Sequence, residues 1–423
     1  MNAVFSDVFE MDDCKIKRLT SHLMDKRKSF FLFVRIVRVS NALVCENDAQ
    51  QKIAYTIIFN IFLVGIYPIV KFMQTIAYLM HQPITKSTIH DIAREINVTP
   101  STVSRALNGH SAISSSTKEA VHKIAKKLHY HPNRIASSLR LGKSKIIGVI
   151  IPSAEINFFG SVVHGIEKVA SENDYNVLIY QSNELQDIEK KGVTTFLRSR
   201  VDGVLASITK ETFTLDHFKE IKRRGVPLVL FDRVNDDLSV PSVVVDDFKG
   251  AFNATQHLID QGCKRIVHLA GPQHVSIFNQ RLKGYIKALE QNGFPVKEDW
   301  IVNGKLTIES GYKCMMQLLS EGNNPDGVFA VEDFTALGAM QALKETGKKM
   351  PDDVAIIGFA NEAFGEYITP SLSTVDQQTI KMGEKAAQLF FDLSKDGAFY
   401  KTKPAKLVLE PVLVYRGSSL RKK

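Results

Sequence analysis

Two groups of side chains in this 423-residue chain stand at spacings that suit recognition chemistry. In Pro100-Ser-Thr-Val-Ser-Arg-Ala-Leu-Asn108, helical spacing puts Ser101, Thr102, Arg105 and Asn108 on one face and Val103, Ala106 and Leu107 on the other. Short hydroxyls beside an arginine can approach base edges in a major groove, where a guanidinium spans guanine O6 and N7. The second group stands at the ends of apolar runs. Asp232 follows Leu228-Val-Leu-Phe231, Asp246 and Asp247 follow Ser242 to Val245, and Glu332 and Asp333 follow Gly327 to Val331. Together with Arg281, such carboxylates suit holding a hydroxyl-bearing small molecule without doing chemistry on it. A cap or surface role is the commoner fate of any one of them, and Asp333 is well placed to cap the helix through Leu337.

Four short helices are expected to position the first group. Ile89, Ile92, Ala93 and Ile96 mark one helix, with Thr88 as an N-cap three residues before Asp91. Asn97 falls where the turn wants a positive backbone angle, and Thr99 with Pro100 suits the start of the next helix. Ser116-Thr-Lys-Glu119 reads as a capping box opening a third helix through Leu128. Residues 133–140 carry Ile135, Ala136 and Leu139 at helical spacing but are too short to persist alone, so their order is expected to depend on a partner. A three-helix bundle of another purpose is the alternative. Charge favours nucleic acid: residues 81–145 hold 11 Lys and Arg against 3 Asp and Glu, whereas residues 146–423 hold 33 against 35. His122, His129 and His131 lack a completing cysteine or carboxylate at ligand spacing, so no metal site is expected.

From residue 146 to about 415, short apolar runs alternate with amphipathic ones. Strands are expected at 146–151, 177–180, 203–208, 227–231, 242–245, 265–270, 327–331 and 354–359, with helices such as 162–172, 188–197, 248–261 and 281–291 between them. Such alternation means parallel sheets covered on both faces, here closing as two doubly wound lobes with a cleft at the strand carboxyl ends. Phosphate loops, dinucleotide fingerprints, nucleophile elbows and zinc-protease motifs are absent from the sequence, so no enzyme is expected. Cys14, Cys45, Cys263 and Cys314 share no short spacing and read as reduced, buried thiols of a cytoplasmic protein.

Residues 1–82 have a different character. Ile53 to Val70 is mostly apolar and just reaches spanning length, interrupted by Asn60 and Pro68. A membrane anchor, a buried helix and an extension outside the working protein are the competing readings. Met80 stands a few residues before the helical pattern, which favours the extension over a membrane partner.

The order of these motifs resembles the lactose and purine repressor family. The resemblance runs from about Ile84 to Ser419 and rests on Thr88 to Leu141, Gly148-Val-Ile-Ile-Pro152, Asn157-Phe-Phe159, Leu230-Phe-Asp-Arg233, Leu269-Ala-Gly-Pro272, Arg281-Leu-Lys-Gly-Tyr285, Ala336-Leu-Gly-Ala339 and Ile356-Ile-Gly-Phe359. It implies an α/β protein with an all-α helix-turn-helix head at 84–131, a hinge helix and linker at 132–145, and a two-lobed periplasmic-binding-protein-like effector and dimerisation domain at 146–419. It further implies a homodimeric transcriptional regulator, a repressor, on a pseudopalindromic double-stranded operator. Ser101, Thr102 and Arg105 would touch bases and Asn108 phosphate, while Leu139 would wedge into a central minor-groove step with Ala136 beside it. Phe158, Phe159, Asp232, Arg281 and Asp333 would face a small-molecule effector, with a sugar as one candidate class and no cofactor. Two departures matter: many relatives hold ligand with an Asp where this chain has Ala360, and an aromatic is replaced by Leu306, leaving Asn361 as a substitute amide contact. The rival expectation is a periplasmic-type sugar-binding protein without a DNA role, which would have no use for Thr88 to Leu141.

Overall fold

A computed structural model describes residues 87–130, 142–395, 399–400 and 403–421. The expected hinge helix with Ala136 and Leu139, and the extension at 1–82, lie outside the described residues. The chain divides between His131 and Pro132 into two compact units.

In the first unit, α1 (Ile89–Glu95), α2 (Pro100–Leu107) and α3 (Ser115–Lys127) enclose a small core. Ile92, Val103, Ala106 and Val121 are fully buried there, joined by Ala93 and Ala125. Asn97 turns the chain at φ 52° and lets the Val98 amide donate to the Ala93 carbonyl at 2.9 Å. Thr99 accepts from the Thr102 amide at 3.1 Å with Pro100 at the first helical position, as the residue types demand. The third helix departs from expectation. Its cap is Ser114, which accepts from the Thr117 amide at 3.2 Å, so the expected box at Ser116 and Glu119 does not form. The helix starts earlier, which places Ser116 inside its first turn.

The second unit holds two parallel sheets. In the first lobe β1 (Ile146–Ile151), β2 (Asn176–Gln181), β3 (Gly203–Ala206), β4 (Leu228–Phe231) and β5 (Ser242–Val245) alternate with α4 (Asn157–Glu172), α5 (Gln186–Arg198) and α6 (Asp216–Arg223). In the second, α7 (Asp247–Asp260), α8 (Ser276–Gln291), α9 (Ile308–Ser320) and α10 (Asp333–Glu345) surround β6 (Ile266–Ala270), β7 (Ile301–Asn303), β8 (Gly327–Ala330) and β9 (Ala355–Ile357). The short α11 (Phe364–Tyr367) and β10 (Thr374–Asp376) precede α12 (Thr379–Ser394), which returns to the first lobe. There β11 (Lys406–Leu409) pairs parallel to β5, after which β12 (Val412–Val414) pairs antiparallel to β10. The six-stranded order is β11-β5-β4-β3-β1-β2 and the four-stranded order β7-β6-β8-β9. The chain therefore crosses between lobes after β5, after β10 and after β11.

All eight expected strands are present. The sequence reading omitted β7, β10, β11 and β12, which are three or four residues long. In the first lobe Gly165 of α4 lies against the Ile380 carbonyl, and Gly383 of α12 against that of Val162. Side chains at either position would drive these helices apart, so glycine is what lets α12 lie on α4. Cys263 and Cys314 are free and buried, as their spacing implied. Among the described residues no helix is long and apolar enough to cross a membrane.

Candidate functional site

The outer face of α2 is built by what the inner face buries. Val103 and Ala106 are inaccessible, which turns Ser101, Arg105 and Asn108 outward as exposed residues. Among the described residues Arg105 forms no ion pair, leaving its guanidinium available to a ligand. Thr102 is half-buried, and its hydroxyl sits 2.9 Å from that of Thr99, inside the helix cap. Asn108 donates from Nδ2 to the Ser104 carbonyl at 2.6 Å at the end of the helix.

The second site lies between the lobes, at the strand carboxyl ends where parallel α/β sheets place ligands. An inner cavity of about 90 Å³ is walled by Phe158 and Phe159 of α4, Asp232 and Arg233 after β4, and Phe278 and Arg281 of α8. Lys210, Asp232, Arg233 and Ile277 also line a neighbouring outer chamber of about 510 Å³. Asp246 faces the outer chamber and caps α7, accepting from the Lys249 amide at 2.9 Å.

Most of the buried charges here are paired within the protein. Arg281 donates from Nε to Asp247 Oδ1 at 2.8 Å and from its terminal nitrogens to the Val331 carbonyl at 2.7 Å and Gln377 Oε1 at 3.2 Å. Its guanidinium lies 3.6 Å from the Phe359 ring centroid. Arg233 pairs with both oxygens of Glu184 at 2.8 and 2.9 Å. Asp232 accepts from the Ser207 hydroxyl at 3.4 Å, and burial pushes its carboxyl above the usual carboxylate range despite Arg233 and Arg281 nearby. Burial likewise raises the carboxyl of Asp247 to about 6.

The lobes touch across the cleft. The Phe158 amide of the first lobe donates to Glu362 Oε1 of the second at 3.3 Å, and the Ser276 hydroxyl donates to the Val234 carbonyl at 3.4 Å. His274 Nε2 stands 2.8 Å from the Lys210 carbonyl, with its ring stacked on Phe213 at 5.6 Å. Behind that loop, buried Glu189 accepts from the Thr209 amide at 3.0 Å and the Thr212 hydroxyl at 2.7 Å, fixing the segment that carries Lys210.

Phe158, Phe159, Asp232 and Arg281 are thus brought to one cavity, and two other expected residues are not. Asp333 is fully buried, its oxygens accepting from the Thr374 hydroxyl and the Glu362 amide, both at 2.7 Å. The cap of α10 is Glu332, and Glu332 lines the cavity in its place. Asn361 also turns away: Nδ2 donates to Asp376 at 2.9 Å and its carbonyl oxygen accepts from Arg416 at 2.9 Å. Its neighbours Ala360 and Glu362 line the cavity instead, as does Leu306. The sequence reading missed Glu184, Lys210, Arg233, Glu362 and Gln377 as cavity residues. Arg233 stood inside a quoted motif and Glu362 beside Asn361, while Glu332, which lines the cavity, was among the strand-end carboxylates singled out; the others come from loops that only the fold brings together.

Known proteins share this organisation. Residues 144–398 match a family described as periplasmic binding proteins and sugar binding domain of LacI family, and residues 88–133 match bacterial regulatory proteins, lacI family. The chain is 35% identical over 303 residues to Catabolite control protein A of Priestia megaterium, spanning 71% of this chain and 91% of that protein. A lac repressor dimer bound to operator and the anti-inducer ONPF is similar with a TM-score of 0.71 at 26% identity, over 80% of this chain and 100% of that one. A transcriptional regulator CelR-cellobiose complex reaches 0.60 at 30% identity, over 79% and 100%.

Proposed function

Because this chain belongs to the lacI family of bacterial regulatory proteins, we propose that it is a repressor that binds a pseudopalindromic operator as a homodimer and answers to a small polyhydroxylated effector held between its lobes. The observation that carries the reading is the outer face of α2, where Ser101 and Arg105 are exposed opposite the fully buried Val103 and Ala106. Ser101, Thr102 and Arg105 read base edges and Asn108 a phosphate; Thr102 must first release Thr99 or act through its methyl group. Leu139 wedges into the minor groove with Ala136 beside it, the part that the family resemblance assigns them.

In the cleft, Asp232 and Arg281 hold hydroxyls and the two phenylalanines pack on the ligand frame, consistent with the match to a sugar binding domain. A molecule bridging both walls changes the relative stability of lobe angles, and DNA affinity follows by linkage. The matched head at 88–133 speaks against a periplasmic-type binding protein without a DNA role.

The test selects operators from random duplex DNA with the full chain, then measures affinity by fluorescence anisotropy with and without candidate sugars. Preference for one palindromic duplex, altered by at least one small molecule, is expected. Binding that ignores nucleotide sequence would sink the reading. Leu139→Ala is expected to weaken operator binding and spare effector binding; equal loss of both would make Leu139 an ordinary core residue.

A further inference from the structure

The inner cavity has hydrogen-bond donors to spare, while most of its acceptors are already engaged. Glu184 accepts from Arg233 and from the Lys210 amide at 2.9 Å. Glu332 accepts from the amides of Phe334 at 2.9 Å and Thr335 at 2.6 Å. Glu362 accepts from the Phe158 amide. On the donor side, Arg233 is only 8% exposed, yet among the described residues its Nε has no hydrogen-bond partner, and Asp232 Oδ2 stands 3.8 Å from it. Lys210 Nζ reaches no closer than 3.8 Å to Glu184. A buried guanidinium nitrogen without an acceptor is costly, and it marks the place where a ligand oxygen belongs.

A second observation points the same way. Helix α4 is 16 residues long and has no side-chain cap of its own, Ile156 standing at the N-cap position. Its first turn is served by Glu362, a carboxylate that arrives from the opposite lobe. The helix dipole favours an anion there, and the protein supplies a carboxylate of its own. Ala360 agrees with this: that part of the wall presents a methyl group and adds no further acceptor.

We propose that the effector of this cleft is an anionic polyol, with a carboxylate or phosphate ester seated between Arg233 and the N-terminus of α4 in the position that Glu362 now occupies. Asp232 then takes hydroxyls of the neutral frame, and displacement of Glu362 removes one of the bonds that join the lobes. The inference rests on the cleft being the effector site.

Calorimetric titration of the full chain tests it with glucose, galactose and ribose, with glucuronate and galacturonate, with the terminal phosphate esters of glucose and ribose, and with inorganic phosphate alone. At least one acid or ester is expected to bind about tenfold tighter than its neutral parent. Arg233→Gln should abolish that preference, and Glu362→Gln, which removes the competing charge while keeping an acceptor for the Phe158 amide, should enlarge it. The two variants are independent readouts if one fails to fold. A uronate-only or ester-only response identifies which anion the site takes. Neutral sugars binding as tightly as the acids, no acid or ester binding at all, or inorganic phosphate accounting for the whole affinity would each overturn the proposal. Operator selection without ligand tests the repressor reading separately, so the two can fail independently.

Discussion

Arg281 of α8 donates to Asp247 of α7 at 2.8 Å, and the same guanidinium reaches Gln377, the residue after β10. One side chain therefore ties together two of the segments where the chain crosses between lobes. Removing one member of a buried pair strands the other charge, at a cost of roughly 3–5 kcal/mol. Arg281→Met is expected to lose stability of that order in urea unfolding and to abolish effector binding. A loss below about 1 kcal/mol would show that Asp247 finds water or another partner.

The pH dependence follows from the buried carboxyls. Burial pushes Asp333 up to about 7 and Asp247 up to about 6, from an ordinary 3.8. A carboxyl with a raised folded pKa holds its proton longer in the folded state, so its contribution to stability is complete below about pH 4 and is lost as pH rises to about 7. Buried His268, lowered by burial to about 4, acts in the opposite sense over much of that window. Comparison with Asp333→Asn isolates the carboxyl: the advantage of the wild type should shrink as pH rises from about 5 to about 8. An advantage that is flat or grows, measured by denaturant unfolding at each pH, would contradict the assignment.

Ala360 sits at φ 129°, a region in which side chains are strained, on the wall of the inner cavity. Ala360→Gly relieves that strain, and the gain exceeds the entropy glycine adds to the unfolded chain. We expect about 1 kcal/mol of added stability, read as a higher melting temperature. A lower one would mean that the methyl group's packing outweighs the strain.

Arg105 is exposed on α2 and forms no structural ion pair among the described residues. Arg105→Ala should therefore leave folding of the head unchanged, lower affinity for the selected operator by about 1–3 kcal/mol, and relax sequence preference at one base position. Uniform weakening on all duplexes, with the preference intact, would make Arg105 a phosphate contact.

Much was legible in the residues alone because it depends on near neighbours. Helical spacing around Val103 and Ala106, the Thr99 and Pro100 start, and the left-handed Asn97 are local, and the head follows them. The eight apolar strands were likewise readable from runs of β-branched residues. The third cap was misjudged because Ser114, Ser115 and Ser116 are locally equivalent, and packing selects among them.

The cleft was legible only in part. Phe158, Phe159, Asp232 and Arg281 stand in recognisable motifs and do line it. Which neighbour of a carboxylate faces the ligand was decided by tertiary structure: Asp333 is drawn inward by Thr374, 41 residues away, and Asn361 by Asp376 and Arg416, leaving Glu332 and Glu362 on the wall. Strand β11 joins a sheet whose other strands lie more than a hundred residues earlier, and Glu362 caps a helix 204 residues before it. Chain-local patterns set which segments become strands and helices, since propensity and periodicity act over a few residues. Which charges meet across a cleft depends on contacts between segments far apart in sequence, formed only when both lobes are folded and the three crossings hold them face to face.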